Sequence, residues 1–428
     1  MTILTDSFGN PLGTTSQLAQ EAYVDALEAY LDARDGIVPA LDRAIDADPE
    51  FALAYTLKAR TAQVYGQMTE AKALSAQAVQ RTSGLPEQVA SHIGIFDDLI
   101  HSRVGQGYDR ARAHLVEHPR DTVVAGTCLG VFSLIGFSGR EGREAEHLSL
   151  VEQLAPAYGD DPWFQSQLAF AQMETGHLSE AAVSIEKGIK GRPRSANTSH
   201  IRSHLYYEMG ETEAGRDYLQ DWMKSYSADG LMHCHNSWHV ALWSLSLGDV
   251  DHMWQVVREA LDPDVSTSPA LNILTDLASL FWRAEMAGET VPDDAWQRLS
   301  DYAITAFPNP ALGFADVHAA LAHAMAGHDE PLKKIAEGPK GPVADLVAPC
   351  AEAFRAIAKQ DWARAEAELI PVMVAHERLG GSRAQRDIID LTLLHTQIRQ
   401  GRADEARRLL AIRRPRIDSD RILAGLAA

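Results

Sequence analysis

The stretch YGDDPWFQSQLAFAQMETGHLSEAAVSIEKGIKGRPRSANTSH, residues 158–200, contains one helical hairpin and the start of the next. Apolar residues recur at helical spacing on both sides of the glycine-containing turn TGHLSEA (175–181), and Pro162 and Pro193 mark helix ends. Alternating, strand-like segments are almost absent from the whole chain. The stretch therefore predicts two amphipathic helices joined by a short turn.

This unit recurs along the chain. Pro49 and Pro119 open further amphipathic runs, and similar inner turns lie at 65–71, 209–215 and 247–253. His200 and His204 recur 35 residues later as His235 and His239. A helix–turn–helix unit of about 35 residues predicts an all-α, tetratricopeptide-like helical-repeat superhelix, an α-solenoid. With no linker-like run, we expect residues 1–20 to be an N-terminal extension and residues 21–428 to form a single continuous helical-repeat domain.

Composition narrows the function classes. The chain has 428 residues, of which 46% are hydrophobic and 23% charged, as in folded globular proteins. Its net charge of −20 argues against a nucleic acid or an anionic membrane as the main partner. No run approaches about 18 apolar residues and the start MTILTDSFGN is unlike a signal peptide, so we expect a cytoplasmic location. Three distant cysteines predict neither a disulfide scaffold nor a thiolate zinc site.

Polar side chains on the first helix of each pair are candidate site residues, because these helices line the concave surface of such a superhelix. On a helical wheel four of them share one face of the helix after Pro193: Asn197, His200, His204 and Glu208. The next unit presents His235 and His239, with Asn236 and Trp238 adjacent. Two stacked helices thus offer four imidazoles to the same region.

Histidines at positions i and i+4 lie about 6 Å apart, the spacing that helical metal sites use. Two such pairs in the same register leave three interpretations open. The histidines are structural hydrogen-bonding groups, they bind a ligand without metal, or His200, His204, His235 and His239 hold a metal ion.

Later helices add further candidates. Asp276, Asp316 and His318 lie near the starts of apolar helices, where they suit an acid/base or cation-binding lining. The alternative for either aspartate is a cap or first-turn carboxylate that interacts with the helix dipole.

The string LGGSRAQRD (379–387) predicts a glycine turn and a capping box, with Ser382 as the N-cap and Gln385 three residues later. Arg386 and Asp387 then stand in the first turn. They could hold a carboxylate or phosphate at the helix start, or form a surface ion pair.

Signatures of nucleotide binding and of serine hydrolases are absent: GxxxxGK[ST], GxGxxG and GxSxG do not occur. The sequence therefore indicates no nucleotide cofactor, and it leaves a divalent metal open. The basic tail from Arg407 to Arg421, interrupted by Asp418 and Asp420, is interpreted as the solvated face of a last helix.

Several strings resemble the tetratricopeptide repeat protein 38 family. They are DSFGNPLGTTS (6–16), SHIRSHLYYEMGETEAGRDYL (199–219), LMHCHNSWHVALWSLSLGD (231–249), DLASLFWRAEMAG (276–288), FADVHAALAHAMAG (314–327) and GGSRAQRDIIDLTLLH (380–395). The resemblance implies an all-helical repeat fold in a soluble, intracellular protein, and it brings no established biochemical activity. The family pattern is present at His200, His204, Glu208, Cys234, His235, Asn236, Trp238, His239, Asp276, Asp316, His318, Gly380, Gly381, Ser382, Gln385, Arg386 and Asp387.

Together these observations favour a concave surface that closes over a polar, histidine-rich pocket and binds a small ligand. If the pocket is catalytic, the four histidines would carry protons or act as ligands, Asp276 and Asp316 would orient them, and Arg386 would anchor an anion. The alternatives are a tetratricopeptide-type scaffold for a peptide or protein partner, and a metal-dependent hydrolase or lyase. The oligomeric state, including a homodimer, stays open.

Overall fold

The computed structural model describes residues 3–292, 294–416 and 421–426. Within these residues the chain forms 22 α-helices and no β-strand, apart from an isolated antiparallel bridge between Thr5 and Pro11. The predicted all-α helical-repeat fold is confirmed. The first ten helices are α1 (Gln17–Leu31), α2 (Ile37–Ala47), α3 (Ala52–Val64), α4 (Met68–Gln80), α5 (Glu87–Ile100), α6 (Val104–Glu117), α7 (Thr122–Cys128), α8 (Arg143–Tyr158), α9 (Pro162–Glu174) and α10 (Leu178–Gly191).

The remaining helices continue the pairing. They are α11 (Ala196–Met209), α12 (Thr212–Met223), α13 (His233–Ser246), α14 (Val250–Val256), α15 (Ala270–Met286), α16 (Ala295–Ala306), α17 (Gly313–Ala326), α18 (Asp329–Glu337), α19 (Ala344–Ala358), α20 (Trp362–Val372), α21 (Arg383–Arg399) and α22 (Ala403–Arg413). A π-helical turn extends α14, and a 3₁₀ turn (His376–Leu379) precedes α21. Among the described helices, none combines the length and apolar composition needed to cross a lipid bilayer.

The glycine-containing inner turns that the sequence predicts are present in the structure. Gly66, Gly176, Gly210 and Gly248 follow the first helix of their pairs with φ values of 74°, 86°, 74° and 77°. Glycine reaches this left-handed conformation without a steric penalty, so the chain reverses there over two or three residues. Pro162 is the first residue of α9, where its missing N–H is not needed.

Inner and outer helices differ sharply in burial. The inner helix α13 buries twelve of its fourteen residues and α17 buries thirteen of fourteen, whereas the outer helix α12 buries only two of twelve. These two inner helices are therefore surrounded by protein on nearly all sides, and along them little surface is left open to an extended peptide.

Helix α21 adds to the burial of the inner row, since it packs against helices from earlier turns of the superhelix. Asp387 accepts a hydrogen bond from the Tyr207 hydroxyl of α11 at 2.8 Å, and the Trp282 indole of α15 donates to the Thr392 hydroxyl at 2.8 Å. Arg386 contacts Glu144 of α8. The C-terminal part of the chain thus occupies space that an open superhelix would leave empty.

A second set of contacts joins the N-terminal hairpin to the middle of the chain. Arg192 donates to Asp32 at 2.8 Å and to Glu28 at 2.7 Å, and the Asn197 amide donates to the Leu31 carbonyl at 2.8 Å. The start of α11, which carries two of the candidate histidines, is therefore held by α1.

We predict that Gly215→Ala destabilises the fold by about 1–2 kcal/mol. A Cβ at this position of α12 would lie 2.7 Å from the Trp243 ring and 2.9 Å from the Tyr206 Cβ, so two inner helices would have to shift. Urea denaturation measures the change. Gly105→Ala is the matched control, because its Cβ on α6 meets no atom within 4 Å and should stabilise by about 0.5 kcal/mol. Equal effects of the two substitutions would contradict the prediction.

Candidate functional site

The structure brings together four histidines, which we call the histidine cluster: His200, His204, His235 and His239. Their ligand nitrogens lie within 4.8 Å of one another, and all four side chains are buried. The ring centroids of His200 and His204 are 4.4 Å apart, and those of His204 and His239 are 4.6 Å apart. The cluster arises because α11 and α13 are consecutive inner helices that present their i, i+4 pairs in the same register.

Hydrogen bonding inside the cluster is incomplete. The Nε2 atoms of His204 and His200 are 2.9 Å apart, and His235 Nδ1 lies 2.9 Å from the Asp276 carboxylate of α15. No described residue offers a partner to either ring nitrogen of His239 or to Nδ1 of His204. Among the described histidines, His239 alone has both ring nitrogens buried and without a partner, whereas other buried histidines lack at most one. Buried polar atoms normally have partners, so His239 can accept a further group.

Three imidazoles of the cluster, those of His200, His204 and His239, are neutral near pH 7. Burial lowers the pKa of His204 to about 3 and holds the pKa values of His200 and His239 well below the usual value. Neutral imidazoles keep a lone pair free for a proton or a metal ion.

Asp276 sits in the middle of α15, not at its start, so the cap interpretation is wrong for this residue. Burial raises the pKa of its carboxyl group, and it lies opposite His235 and within 3.8 Å of the Cys234 thiol. A carboxylate on Nδ1 orients an imidazole and increases the basicity of its Nε2, an arrangement found in both acid/base catalysis and metal sites.

A cavity of about 380 Å³ adjoins the cluster, and His200 and His235 form part of its wall. We call it the histidine-lined cavity. Most of the wall is apolar and includes Phe132, Phe170, Ile201 and Leu231. Among its described lining residues, Arg60 is the sole lysine, arginine, aspartate or glutamate.

Other predicted site residues lie apart from the cluster's nitrogens. The Trp238 ring stacks on the His235 ring with centroids 5.1 Å apart, and the buried amide of Asn236 has no partner in the described chain. Neither residue is part of the wall of the histidine-lined cavity. Glu208, which shares a wheel face with His200 and His204, instead pairs with Arg414 at 2.8 and 2.9 Å.

Asp316 and His318 make contacts at the start of α17. Asp316 accepts a hydrogen bond from the Ala311 backbone N–H at 3.2 Å, which agrees with a first-turn carboxylate, and burial raises its pKa to about 6. His318 Nδ1 lies 2.7 Å from the Phe314 carbonyl, and burial lowers its pKa to about 4. Neither side chain lines the histidine-lined cavity.

The capping box at the start of α21 is confirmed. The Ser382 hydroxyl accepts from the Gln385 N–H, and the Gln385 side chain accepts from the Ser382 N–H at 3.0 Å. The surface ion pair considered for Arg386 and Asp387 is wrong, because these side chains are only 5% and 3% exposed. They are buried because α21 runs through the interior.

Arg386 and Asp387 take part in an interior charge network. Arg386 contacts Glu144 and lies 3.7 Å from Glu174, while Asp387 lies 3.1 Å from Arg414. The carboxylates that Arg386 holds are thus the chain's own. The interpretation of the basic tail as a solvated face is wrong for Arg414, which is 7% exposed. Asp418 and Asp420 lie outside the described residues.

Sequence reasoning missed Arg60, Arg143, Glu174 and Arg283. Arg143 donates to the Glu377 and Gly381 carbonyls at 2.6 Å each, and Arg283 donates to the Ala384 carbonyl at 2.7 Å. Arg143 and Arg283 lie far from these partners in the chain. No local spacing or motif could have signalled these contacts.

Comparison with known proteins adds little beyond the helical-repeat class. No protein-family model matches the chain. It is similar to the crystal structure of yeast Tom70, with 13% identity over 93% of this chain and 92% of that chain and a TM-score of 0.34. It is also similar to the P58(IPK) TPR domain, with 14% identity over 92% and 88% and a TM-score of 0.25. Both TM-scores are below 0.5, so neither likeness indicates a function for this chain.

We predict that Glu174 makes the stability of the protein pH-dependent. Burial raises the pKa of Glu174 to about 7 from its ordinary value of 4.5. Between these two values the folded state binds the proton more tightly than the unfolded state, so stability decreases as the pH rises. The free energy of unfolding of the wild type, relative to Glu174→Gln, should fall by at most about 3 kcal/mol from pH 5 to pH 8.

Urea denaturation at several pH values measures this difference. Glu180→Gln removes an exposed carboxylate of the neighbouring helix α10 and serves as the control. A gap between wild type and Glu174→Gln that stays constant with pH would show that Glu174 does not titrate in this range.

Proposed function

We propose that this helical-repeat protein binds a small, mostly apolar anion in the histidine-lined cavity. The proposal rests on the difference in charge between the whole chain and the cavity wall. The chain has a net charge of −20, yet the described wall contains one arginine and no carboxylate. A volume of about 380 Å³ is in the range of small-molecule sites.

Arg60 is the residue that would make the cavity prefer an anionic ligand. Its Nη1 donates to the Gln63 side chain at 2.7 Å, while its buried Nε has no acceptor in the described residues. The carboxylate of a ligand could accept a hydrogen bond from this Nε–H. The apolar wall would contact the rest of the ligand. Asn197 and Asn272, also in the wall, add polar contacts.

We infer membership of the tetratricopeptide repeat protein 38 family from two strings. CHNSWH (234–239) supplies half of the histidine cluster, and GGSRAQRD (380–387) starts the helix that fills the interior. Both strings therefore lie in distinctive parts of this fold and not at positions that all of its repeats share.

A second candidate function is that of a scaffold for a protein partner. It is favoured by a cleft of about 830 Å³ on the outer side, between α14 and α16. Leu277, Phe281 and Leu299 form the buried apolar floor of this cleft. Its described wall has four aspartates, with Asp251 and Asp294 among the exposed ones, against two arginines. This combination suits a basic segment with an apolar anchor. Charge reversal at Asp251 and Asp294 would abolish such binding and leave a ligand in the histidine-lined cavity unaffected.

We predict that octanoate raises the melting temperature of the protein and that 1-octanol, which lacks the anionic group, does so much less. Arg60→Met keeps the apolar stem and removes the charge, so it should abolish the difference between the two probes. Thermal denaturation with calorimetric titration measures both effects. Equal binding of the two probes by the wild type would contradict a site for an anion.

We predict that Gly126→Leu blocks octanoate binding. Gly126 is an exposed residue of the cavity wall on α7, and a Cβ there meets no atom within 4 Å, so a substituted side chain has space at its base and would occupy part of the cavity. Gly105→Leu is the control, because it also extends into open space but lies outside the wall. If Gly126→Leu has normal helicity and still binds octanoate with unchanged affinity, the ligand binds outside the histidine-lined cavity.

A further inference from the structure

We propose that His200, His204, His235 and His239 bind one divalent transition-metal ion. The inference goes beyond the proposed ligand of the cavity and does not depend on it. Only His200 and His235 belong to both the cluster and the cavity wall. The other two histidines lie deeper, with both side chains 0% exposed.

The geometry of the cluster is close to that of a four-coordinate site. A tetrahedral ion with metal–nitrogen distances of about 2.0–2.1 Å places its ligand nitrogens about 3.4 Å apart. The nitrogens of the cluster lie within 4.8 Å, and the His200–His204 pair is already at 2.9 Å. Small rotations of the imidazole rings, without a change in the helices, would bring all four to bonding distance.

The unpartnered nitrogens point to an ion and not to a purely structural cluster. His200 and His204 satisfy one nitrogen each through their mutual contact, and His235 satisfies one through Asp276. His239 satisfies neither nitrogen within the described chain, although it is fully buried. A metal ion at the centre of the cluster would give His239 a partner, and it would replace the weak contact between two imidazoles.

The surroundings also resemble the outer shell of a metal site. Asp276 holds Nδ1 of His235, which leaves Nε2 as its ligand atom. Aromatic rings surround the imidazoles: Trp238 stacks on His235, Phe170 packs edge-on to His204 at 5.8 Å, and Trp243 lies 5.8 Å from His239. These rings surround the deeper side of the cluster with apolar groups.

The donor set selects the class of ion. Four imidazole nitrogens suit zinc, cobalt, nickel or copper, whereas calcium and magnesium require carboxylate and carbonyl oxygens. The Asp276 carboxylate offsets part of the added charge, while the nearby Arg283 guanidinium opposes it. Coordinate bonds to nitrogen, more than charge, would therefore hold the ion. His200 and His235 give it a route in from the cavity.

The test is titration of the chelator-treated full-length chain with Zn²⁺ by calorimetry and with Co²⁺ by visible absorption. We expect one ion per chain and the strong absorption of four-coordinate Co²⁺. His204→Ala and His239→Ala should each weaken Zn²⁺ binding by at least about 100-fold, and Asp276→Asn by about 10- to 100-fold. His323→Gln is the matched control, since His323 is equally buried but bonds to Ser300 outside the cluster.

Two further measurements keep the outcome clear if a cluster variant fails to fold. X-ray absorption of the Zn²⁺-loaded wild type should report four imidazole ligands, and Zn²⁺ should raise its melting temperature. Binding below one ion per chain, a spectrum of six-coordinate Co²⁺, or unchanged affinity in folded His204→Ala and His239→Ala would overturn the proposal. Gly126→Leu should keep its equilibrium affinity for Zn²⁺, so a failure of the octanoate site and a failure of the metal site are distinguishable.

Discussion

The structure depends on the pairing of charges that α21 carries into the interior. Arg386 and Asp387 stand in the first turn of this helix, and an unpaired charge at such a position would cost several kcal/mol. Glu144, Glu174 and Arg414 provide the partners, from helices up to about 240 positions away in the chain. Arg143 adds hydrogen bonds to the backbone just before α21. The pairing requires the superhelix to close tightly around its last turns.

Closure of the superhelix changes the environment of the polar residues on the inner helices. In an open superhelix, polar residues on the concave side face solvent or a partner. Here the same residues are buried, so each must find an internal partner or face a cavity. Glu208 finds Arg414 and His235 finds Asp276. His239 finds none for either ring nitrogen in the described chain, so the histidine cluster is one of the places where the requirement is left unmet.

The position of the cluster follows from the distribution of the apolar core. One large apolar cluster spans residues between 8 and 171 and another spans residues between 234 and 426. Helix α11 lies between the two in sequence and buries serine, threonine and histidine instead of a continuous apolar face. The histidine-lined cavity lies at this junction, with walls from both halves. The acidic surface and the nearly uncharged cavity are thus separate features of one chain, and the site's chemistry does not follow from the net charge.

The sequence by itself determined the helical class, the glycine inner turns, the capping box at Ser382 and the register of the two histidine pairs. All of these depend on residues within about one repeat of each other, where periodicity and turn chemistry act locally. Only the tertiary structure decided that Arg386 and Asp387 are buried, that Arg414 pairs with Glu208, and that Asp276 faces His235. The curvature of a superhelix is the sum of many small rotations between repeats, and no single stretch of sequence encodes that sum. Which distant helices meet, and hence which polar groups share a site, therefore became visible only in the folded chain.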